Sequence, residues 1–382
     1  MDDVFFHLAP KVHFGEGVSQ RAGRELLALG VHKVLVVTDP GVIKAGVATR
    51  ILGELEEAGI SFELFSELST NPTDVQVMAA VERCRTGRVD GVVGLGGGSA
   101  MDIAKSAAIV RSGGGHIRDY EDGKKPAPET YLPLMFIPTT AGTGAEMVGG
   151  TIITDTERRF KMHIVAAPGQ VVLLDPLLTL TLPPEMTAAT GLDALAHAIG
   201  AYVSVECQPF TDAYALYAIE LVHRYLLRAI ENGQDREARG GMMLASAAAG
   251  ISMKGGGSAE HALAHAINVQ HGVHHGVGCA VFLADVMAFN MPHRVERYAR
   301  IGRALGVDQR LSPDLQAKEA IAAVRKLVSE AGIPTLRDLG VDESNMAQLV
   351  AYVMSDEFHL GLNPVPISPS DAEALFLTSL GH

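Results

Sequence analysis

The order of predicted strands and helices changes abruptly near Asp175-Pro176, and no other feature constrains the fold as strongly. Before that point, short apolar runs such as His32–Asp39 alternate with amphipathic helical segments, a pattern typical of parallel strands buried on both faces. From Pro183 onward almost every segment has a helical pattern. Strand–helix alternation predicts a parallel sheet. We therefore expect an α/β N-terminal dinucleotide-binding domain over residues 1–180 and an all-α C-terminal metal-binding domain over residues 181–382.

Local signals support the boundaries of several elements. Thr73 and Gln76 have the spacing of a capping box at a helix start. Ser312-Pro313 and Ser368-Pro369 each place a capping residue before a proline at the first helical position. Strands are predicted at 32–39, 60–68, 89–95, 131–137 and 171–175, a hairpin at 151–155 and 161–165, and helices at 45–59, 73 onward, 99–110, 184–204, 209–232, 235–253, 259–270, 277–291, 294–305, 312–332, 343–355 and 369–380.

Charge and cysteine content exclude several classes of protein. The net charge of −13 is a poor match for nucleic acid or an anionic membrane. Cys84, Cys207 and Cys279 form no CxxC pair, which argues against a disulfide framework and for a reducing compartment. The N-terminus lacks the pattern of a signal peptide, and no apolar run reaches the roughly 18 residues of a membrane span. These features predict a cytoplasmic protein without nucleic-acid or membrane partners.

A glycine-rich turn, Gly94–Ser99, lies between a predicted strand and a predicted helix. Glycines there let a phosphate approach the backbone, and the helix N-terminus supplies free N–H groups. The turn is neither GxGxxG, because Ser99 holds the last position, nor a P-loop. A tight turn without ligand is the alternative, but the position after a parallel strand favours a dinucleotide. Asp39, at the end of the first strand, either caps a turn or binds ribose hydroxyls, which would favour NAD over NADP.

A second loop, Pro138–Glu146, also follows a predicted strand. It carries three threonine hydroxyls and two glycines, at Thr139, Thr140 and Thr143 and at Gly142 and Gly144. Small polar residues of this kind could hold the nicotinamide end of a dinucleotide, and an ordinary polar surface loop is the alternative.

Histidines and one aspartate form a possible metal site in the helical half. Asp193 and His197 are four residues apart, so they share one helix face, and His261 and His265 have the same spacing. His275 follows ten residues later. One carboxylate and three neutral imidazoles suit Zn²⁺ or Fe²⁺. Spacing alone does not choose the ligands, because other histidines are present, among them His163, His223, His271 and His274.

Four motifs together resemble the iron-containing (group III) alcohol dehydrogenase family over nearly the whole chain. They are Gly96-Gly97-Gly98-Ser99 with Asp102 and Lys105, the run PTTAGTGAE at 138–146, GLDALAHA at 191–198, and His261 with His275-Gly276. The resemblance implies a metal bound by Asp193, His197, His261 and His275, with His265 near the substrate as the residue that relays a proton. The implied metal is Fe²⁺, with Zn²⁺ or Mn²⁺ as alternatives.

The resemblance also implies an NAD site, a cleft between the two domains that holds the reaction, and a homodimer or larger homo-oligomer. The residues implied to bind NAD are Asp39, Asn71, Gly96, Gly97, Gly98, Ser99, Asp102, Thr139, Thr140, Thr143 and Lys161.

Two stretches depart from the family pattern, and both are expected to line the substrate pocket. Val148, Gly149 and Gly150 remove side chains and would widen the pocket. In the second stretch, Met253 and Lys254 precede a run of three glycines. A cation near the metal would suit a substrate with a carboxylate, sulfonate or phosphonate group, while a solvated lysine at a helix end is the alternative.

The predicted function is therefore a metal- and NAD-dependent alcohol dehydrogenase or aldehyde reductase that acts on a small alcohol or aldehyde. Related scaffolds give the alternatives of a glycerol dehydrogenase or a dehydroquinate-synthase-like lyase, and the intact ligand set argues against a metal-free maleylacetate reductase. A non-catalytic NAD-binding protein is the remaining alternative, although four metal ligands without a metal would make a poor core.

Overall fold

The computed structural model describes residues 6–7 and 10–381, and the chain divides into two compact units. The sheet unit comprises His7–Thr140 and Gly144–Thr181. The helical unit comprises Phe6, Ala141–Thr143 and the described residues from Leu182 onward. None of the described helices is long and apolar enough to cross a membrane.

The sheet unit contains a six-stranded sheet in which every pairing is parallel, so the predicted parallel sheet is confirmed. Its strand order is β1-β8-β5-β4-β2-β3, and the predicted hairpin forms a separate antiparallel pair, β6 with β7. The sequence prediction missed β1, an edge strand of only four residues. The strands are β1 (Lys11–Phe14), β2 (Lys33–Val37), β3 (Ser61–Phe65), β4 (Gly91–Gly96), β5 (Leu134–Pro138), β6 (Gly150–Asp155), β7 (Phe160–Val165) and β8 (Val171–Leu174).

Five helices accompany this sheet, and fully buried side chains such as Val36, Val93 and Ile137 form a core on it. The predicted capping box is confirmed: Thr73 accepts a hydrogen bond from the Gln76 backbone, and the Gln76 side chain accepts one in return. The helices are α1 (Ala22–Ala28), α2 (Pro40–Lys44), α3 (Val47–Glu57), α4 (Asp74–Thr86) and α5 (Gly98–Gly113).

Successive strands of the chain join the sheet first on one side of β2 and then on the other. Strand β3 lies on one side of β2, whereas β4 pairs with the other side and β5 continues beyond it. In open α/β sheets, ligands bind outside the carboxyl ends of the strands at such a switch point. Here the switch point places the residues after β2, including Asp39, beside the glycine turn after β4.

The helical unit is built around α6, a 20-residue helix whose residues Leu192, Leu195 and Tyr202 are fully buried. The predicted caps at Ser312 and Ser368 are confirmed, since each side chain accepts a backbone hydrogen bond from its helix. The sequence prediction missed α14. The helices are α6 (Pro184–Val203), α7 (Pro209–Glu231), α8 (Arg236–Ser252), α9 (Glu260–His271), α10 (His275–Asn290), α11 (Val295–Ala304), α12 (Pro313–Glu330), α13 (Met346–Ser355), α14 (Glu357–Leu362) and α15 (Pro369–Leu380).

Candidate functional site

The helical unit brings the four predicted metal ligands together. Asp193 and His197 lie one turn apart on α6, and Nε2 of His197 is 3.9 Å from Oδ1 of Asp193. Nε2 of His275, the first residue of α10, is 3.7 Å from the same oxygen. The ring of His261, on α9, stacks on that of His197 with 4.7 Å between centroids. Three helices therefore converge on one group of donor atoms.

Gly276 explains how α10 reaches α6. A β-carbon at this position would overlap the carbonyl oxygen of Ala189 and lie 3.2 Å from Cβ of Asp193. The absence of a side chain lets the first turn of α10 pack directly on the backbone of α6. His275 is thereby held near Asp193, which gives a physical reason for a metal ligand followed by glycine.

A second carboxylate, that of Glu260, fixes the orientation of His261. Oε1 of Glu260 lies 3.1 Å from Nδ1 of His261, and the Ser258 hydroxyl donates to the other carboxylate oxygen. Burial raises the pKa of Glu260, but its hydrogen bonds to His261 and Ser258 outweigh burial and hold the pKa below its ordinary value. With Nδ1 engaged, Nε2 is the nitrogen that His261 presents to a ligand, as in many metal-binding histidines. The sequence prediction missed Glu260, although an acid directly before His261 was a visible signal.

The donor atoms fit a divalent cation. Among the described residues, Oδ1 of Asp193 and Nε2 of His261 are buried without a hydrogen-bond partner, and so is Nδ1 of His197. Buried polar atoms are seldom left unsatisfied, since the desolvation cost is then uncompensated. Burial also lowers the pKa of His197 to about 4, so its imidazole is neutral near pH 7, the form that binds a metal. A carboxylate and imidazoles in this arrangement suit Zn²⁺ or Fe²⁺.

Cys279 also lies at this group of donors, and the sequence prediction did not include it. It lies one turn after His275 on α10, is fully buried, and its Sγ is 3.5 Å from Nε2 of His275. Donor atoms of Asp193, His261, His275 and Cys279 all lie within 4.8 Å of one another. Burial raises the pKa of the Cys279 thiol to about 11.

His265 belongs to a neighbouring group formed with Asp356 and His359. Nδ1 of His265 is 3.0 Å from Oδ2 of Asp356, and Nδ1 of His359 is 2.9 Å from Oδ1. Burial would raise the pKa of Asp356, but the imidazoles of His359 and His265 hold it well below its usual range. The His265 and His275 rings are 5.1 Å apart, so this group adjoins the metal ligands. The sequence prediction missed Asp356 and His359 because it assigned no element between 355 and 369.

In the sheet unit, Asp39 and the glycine turn meet at the switch point. Gly96 has a φ of +155°, and a β-carbon there would lie 2.9 Å from Cβ of Ala100 and 3.2 Å from Oδ2 of Asp39. Asp39 also caps α2, because its Oδ1 accepts a hydrogen bond from the Val42 backbone. One oxygen of Asp39 therefore caps a helix and the other lies near the turn, while binding of ribose hydroxyls stays a prediction.

The N-terminus of α5 forms a cradle suited to a phosphate. Its cap residue, Gly97, has no side chain to bond the first N–H groups of this 16-residue helix, and such groups bind anions at helix N-termini. A β-carbon at Gly97 would lie 3.2 Å from the Thr140 hydroxyl, which shows how closely the two loops approach. The Ser99 hydroxyl donates to the Thr70 carbonyl oxygen. Nearby on this unit, Nζ of Lys161 donates to Oδ1 of Asn71.

Other residues of the same motifs act within the fold. Oδ2 of Asp102 accepts a hydrogen bond from the Ile152 backbone, and fully buried Lys105 donates to the Gly150 carbonyl oxygen. Both contacts fasten α5 to β6, so a cofactor contact for Asp102 stays a prediction. Buried Thr139 donates its N–H to the Gly96 carbonyl, whereas Thr143 belongs to the helical unit.

The predicted pocket residues fall in both units. Val148 and Gly149 directly precede β6, which begins at Gly150, where a β-carbon would be 3.4 Å from the His163 ring. Met253 and Lys254 follow α8 in a short 3₁₀ helix. Lys254 is exposed, and its ammonium lies 5.7 Å from the centroid of the Phe6 ring. Their assembly into one pocket stays a prediction.

Comparisons with known proteins match residues of both units. Residues 9–176 match the family "iron-containing alcohol dehydrogenase", and residues 187–380 match the C-terminal part of the same family. Choline dehydrogenase of Bacillus subtilis is 40% identical over 370 residues, which cover 94% of this chain and 90% of that protein.

Two solved structures show the same fold. Alcohol dehydrogenase from Oenococcus oeni has a TM-score of 0.94 at 30% identity, covering 98% of this chain and 100% of that one. Sulfoacetaldehyde reductase from Bifidobacterium kashiwanohense, solved in complex with NAD⁺, has a TM-score of 0.87 at 30% identity, with 98% of each chain covered. The resemblance inferred from the motifs is thereby confirmed. The chain belongs to the iron-containing alcohol dehydrogenase family, whose members use NAD(H) and a divalent metal, and it is an oxidoreductase of that family.

Proposed function

We propose that this enzyme interconverts a small alcohol and its aldehyde or ketone, using NAD(H) held by the sheet unit and one divalent cation held by the helical unit. The observation that carries the proposal is that Oδ1 of Asp193 and Nε2 of His261 are buried without hydrogen-bond partners among the described residues, next to His197 and His275. Such atoms are explained by a cation and are costly without one.

Asp193, His197, His261 and His275 would hold the cation, with Fe²⁺ as the expected metal and Zn²⁺ or Mn²⁺ as alternatives. When bound, the cation acts as a Lewis acid on the substrate oxygen, and NAD⁺ accepts the hydride from carbon. The protein's own contribution is positioning: Glu260 fixes the ring of His261, and the packing of α10 on α6 fixes His275.

His265 is the residue proposed to move the proton. Its Nδ1 faces the Asp356 carboxylate, and Nε2 is the nitrogen proposed to accept the hydroxyl proton of an alcohol. The carboxylate then stabilises the positive charge that the imidazole acquires. In the direction of carbonyl reduction, the same nitrogen returns the proton.

The sheet unit supports NAD over NADP. The Asp39 carboxylate at the end of β2 would accept hydrogen bonds from ribose hydroxyls and repel a 2′-phosphate. Helix α5 begins at Gly98, and its cap residue, Gly97, carries no carboxylate. The N–H groups at this N-terminus would bind the pyrophosphate. Asn71, Ser99, Thr139, Thr140, Thr143 and Lys161 complete the proposed set of NAD contacts.

The charge of the substrate is proposed from Lys254. Among the similar proteins, one is named for choline, a cation, and another for sulfoacetaldehyde, an anion, so similarity alone does not assign the charge. The cation of Lys254 supports a carboxylate, sulfonate or phosphonate group on the substrate. Because Lys254 is exposed, we expect Lys254→Met to raise KM for anionic aldehydes by only about two- to fivefold. This range corresponds to the small free energy of an ion pair exposed to solvent. Neutral aldehydes serve as the matched control, and an equal KM change for both would remove the anionic preference.

The assembly and compartment are also proposals. Strand β1 lies at the edge of the sheet, and its side chains Val12 and Phe14 are exposed, which supports association of copies through this edge. Cys84, Cys207 and Cys279 are all free thiols, which supports a reducing cytoplasmic compartment. Light scattering of the purified protein measures the oligomeric state directly.

The test of the proposed function is anaerobic purification, measurement of metal content, and NADH absorbance with a panel of neutral and anionic alcohols and aldehydes. Metal-dependent net formation or consumption of NADH is the expected result. A metal-dependent conversion without net NADH change would support the dehydroquinate-synthase-like alternative. Absence of both metal and NAD binding would support a non-catalytic protein.

A further inference from the structure

We propose that the thiolate of Cys279 is a ligand of the metal in this enzyme, so that the centre has oxygen, nitrogen and sulfur donors. This inference rests on the proposed function, since it concerns the same cation. The motifs and the spacing of histidines predicted only oxygen and nitrogen ligands, and the sulfur donor emerges from the structure alone.

The first argument is the geometry of the donor atoms. Sγ of Cys279 is 3.5 Å from Nε2 of His275, and it lies within 4.8 Å of the donor atoms of Asp193 and His261. With metal–nitrogen bonds of about 2.0 Å and metal–sulfur bonds of about 2.3 Å, a tetrahedral ion separates its sulfur and nitrogen ligands by roughly 3.5 Å. The observed separation matches this value.

The second argument comes from donor atoms of two other residues in the same group, which indicate a bound ligand independently of Cys279. Oδ1 of Asp193 and Nε2 of His261 are buried and lack hydrogen-bond partners among the described residues. Cys279 is on the same helix face as His275, one turn further along α10, and is fully sealed from solvent. Cys279 therefore belongs to a group of four residues, with Asp193, His261 and His275, whose donor atoms lie close together. His197 is not in that group, but its Nε2 lies 3.9 Å from Oδ1 of Asp193 and its ring stacks on that of His261.

Metal binding would convert the thiol to a thiolate, with one proton released to solvent and one metal–sulfur bond formed. No electron is transferred in this step. A thiolate donor favours Zn²⁺ or Co²⁺ over the harder Mn²⁺, so the sulfur ligand would shift the metal preference of this chain. The alternative is a Cys279 thiol that only donates a hydrogen bond to His275.

The test is the absorption spectrum of the whole protein after its metal is replaced by Co²⁺. A cobalt–thiolate bond gives an intense near-ultraviolet charge-transfer band, which oxygen and nitrogen ligands do not give. We expect this band in the wild-type protein and in Cys84→Ser, whose buried thiol lies in the sheet unit. We expect no band in Cys279→Ser, together with a loss of Zn²⁺ affinity larger than the roughly 10- to 100-fold caused by removing an outer partner of a ligand.

Each outcome decides between the two proposals. Wild-type protein that binds one Co²⁺ and turns over NADH but shows no charge-transfer band overturns the sulfur ligand and leaves the proposed function intact. Protein that binds no metal overturns both. The wild-type spectrum needs no variant, so a Cys279→Ser protein that failed to fold would not leave the inference undecided.

Discussion

The two candidate sites consist of different kinds of chemical group. In the sheet unit, the site after β4 consists of backbone N–H groups and small side chains, with a cradle closed by Gly96 and Gly97. In the helical unit, the site consists of side-chain donors, of which Oδ1 of Asp193 and Nε2 of His261 are buried without hydrogen-bond partners among the described residues. Water can satisfy an open glycine turn, but it cannot reach these buried atoms. The helical unit should therefore depend on its ligand for stability, and the sheet unit should not.

Loss of a metal ligand should give the largest effect and tests this contrast directly. We expect His261→Ala to lower metal content and to reduce kcat about a thousandfold, because Lewis-acid stabilisation of several kcal/mol is lost and about 1.4 kcal/mol is a factor of ten. Metal analysis and NADH turnover measure both effects.

The control for His261→Ala is NADH binding, followed by fluorescence. Affinity for NADH should remain near that of the wild type, because the dinucleotide cradle lies in the other unit. A variant that loses metal and NADH binding together would show that the two sites do not form independently.

Buried ionisable groups of the sheet unit should affect stability through pH rather than through a ligand. Burial raises the pKa of Glu146 to about 7, although the charge of Lys105 opposes the shift. The folded protein then keeps a proton that the unfolded chain loses near pH 4.5. The stabilisation that Glu146 contributes is therefore complete below pH 4.5 and is lost as the pH rises to about 7. The free energy of unfolding should fall by roughly 3 kcal/mol over this range.

Urea unfolding of metal-free protein at pH 5 and pH 8 measures this difference. Glu146→Gln should unfold with a smaller pH dependence than the wild type, and it should be the more stable of the two at pH 8. Identical pH dependence in both proteins would show that Glu146 is ionised in the folded state.

These contrasts also explain how far the sequence prediction reached. Continuous apolar strands and proline caps identify elements locally, so the parallel sheet and helices such as Pro369–Leu380 were predicted from the sequence. Strand β1 was missed because exposed residues such as Val12 and Phe14 do not form a buried apolar run. Helix α14 was missed because six residues are too few to show a helical period.

The candidate site was predictable only where ligands share a helix or a motif. The i,i+4 spacing of Asp193 and His197 predicts that both lie on one helix face. Asp356 shows no such spacing, since packing of separate segments brings it to His265. Glu260 directly precedes His261 and Cys279 follows His275 by one helical turn, so both had a local signal that the sequence prediction did not use.

Filling the dinucleotide cradle should give the next largest effect and tests the other side of the contrast. A β-carbon at Gly97 already lies 3.2 Å from the Thr140 hydroxyl, and the branches of valine would occupy the space proposed for phosphate. We expect Gly97→Val to weaken NADH binding by about 1–3 kcal/mol, or roughly 5- to 150-fold, as for other overpacked sites.

Metal content should stay unchanged in Gly97→Val. The matched control is Gly53→Ala on α3, where a β-carbon would meet nothing within 4 Å, so NADH affinity should remain at the wild-type value. Equal losses in both variants would indicate a general destabilisation of the sheet unit rather than a filled cradle.

The smallest of these effects separates binding from proton transfer within the helical unit. Asp356 touches His265 and His359 but is not among the donors grouped around Asp193. We expect Asp356→Asn to retain its metal yet lower kcat for alcohol oxidation by about tenfold or more, part of the roughly 10²–10⁴-fold that a positioned general base contributes. Without the carboxylate, the imidazolium form of His265 is less stable. The acid limb of the pH–rate profile should therefore move to lower pH.

His359→Gln is the matched control, because it removes one imidazole and keeps the Asp356 carboxylate beside His265. Its pH–rate profile should stay close to that of the wild type. A purely structural role for Asp356 would instead reduce metal content and rate together without moving the profile. The direction of the pH shift therefore distinguishes a residue that positions the proton acceptor from one that only supports the packing of α9 and α14.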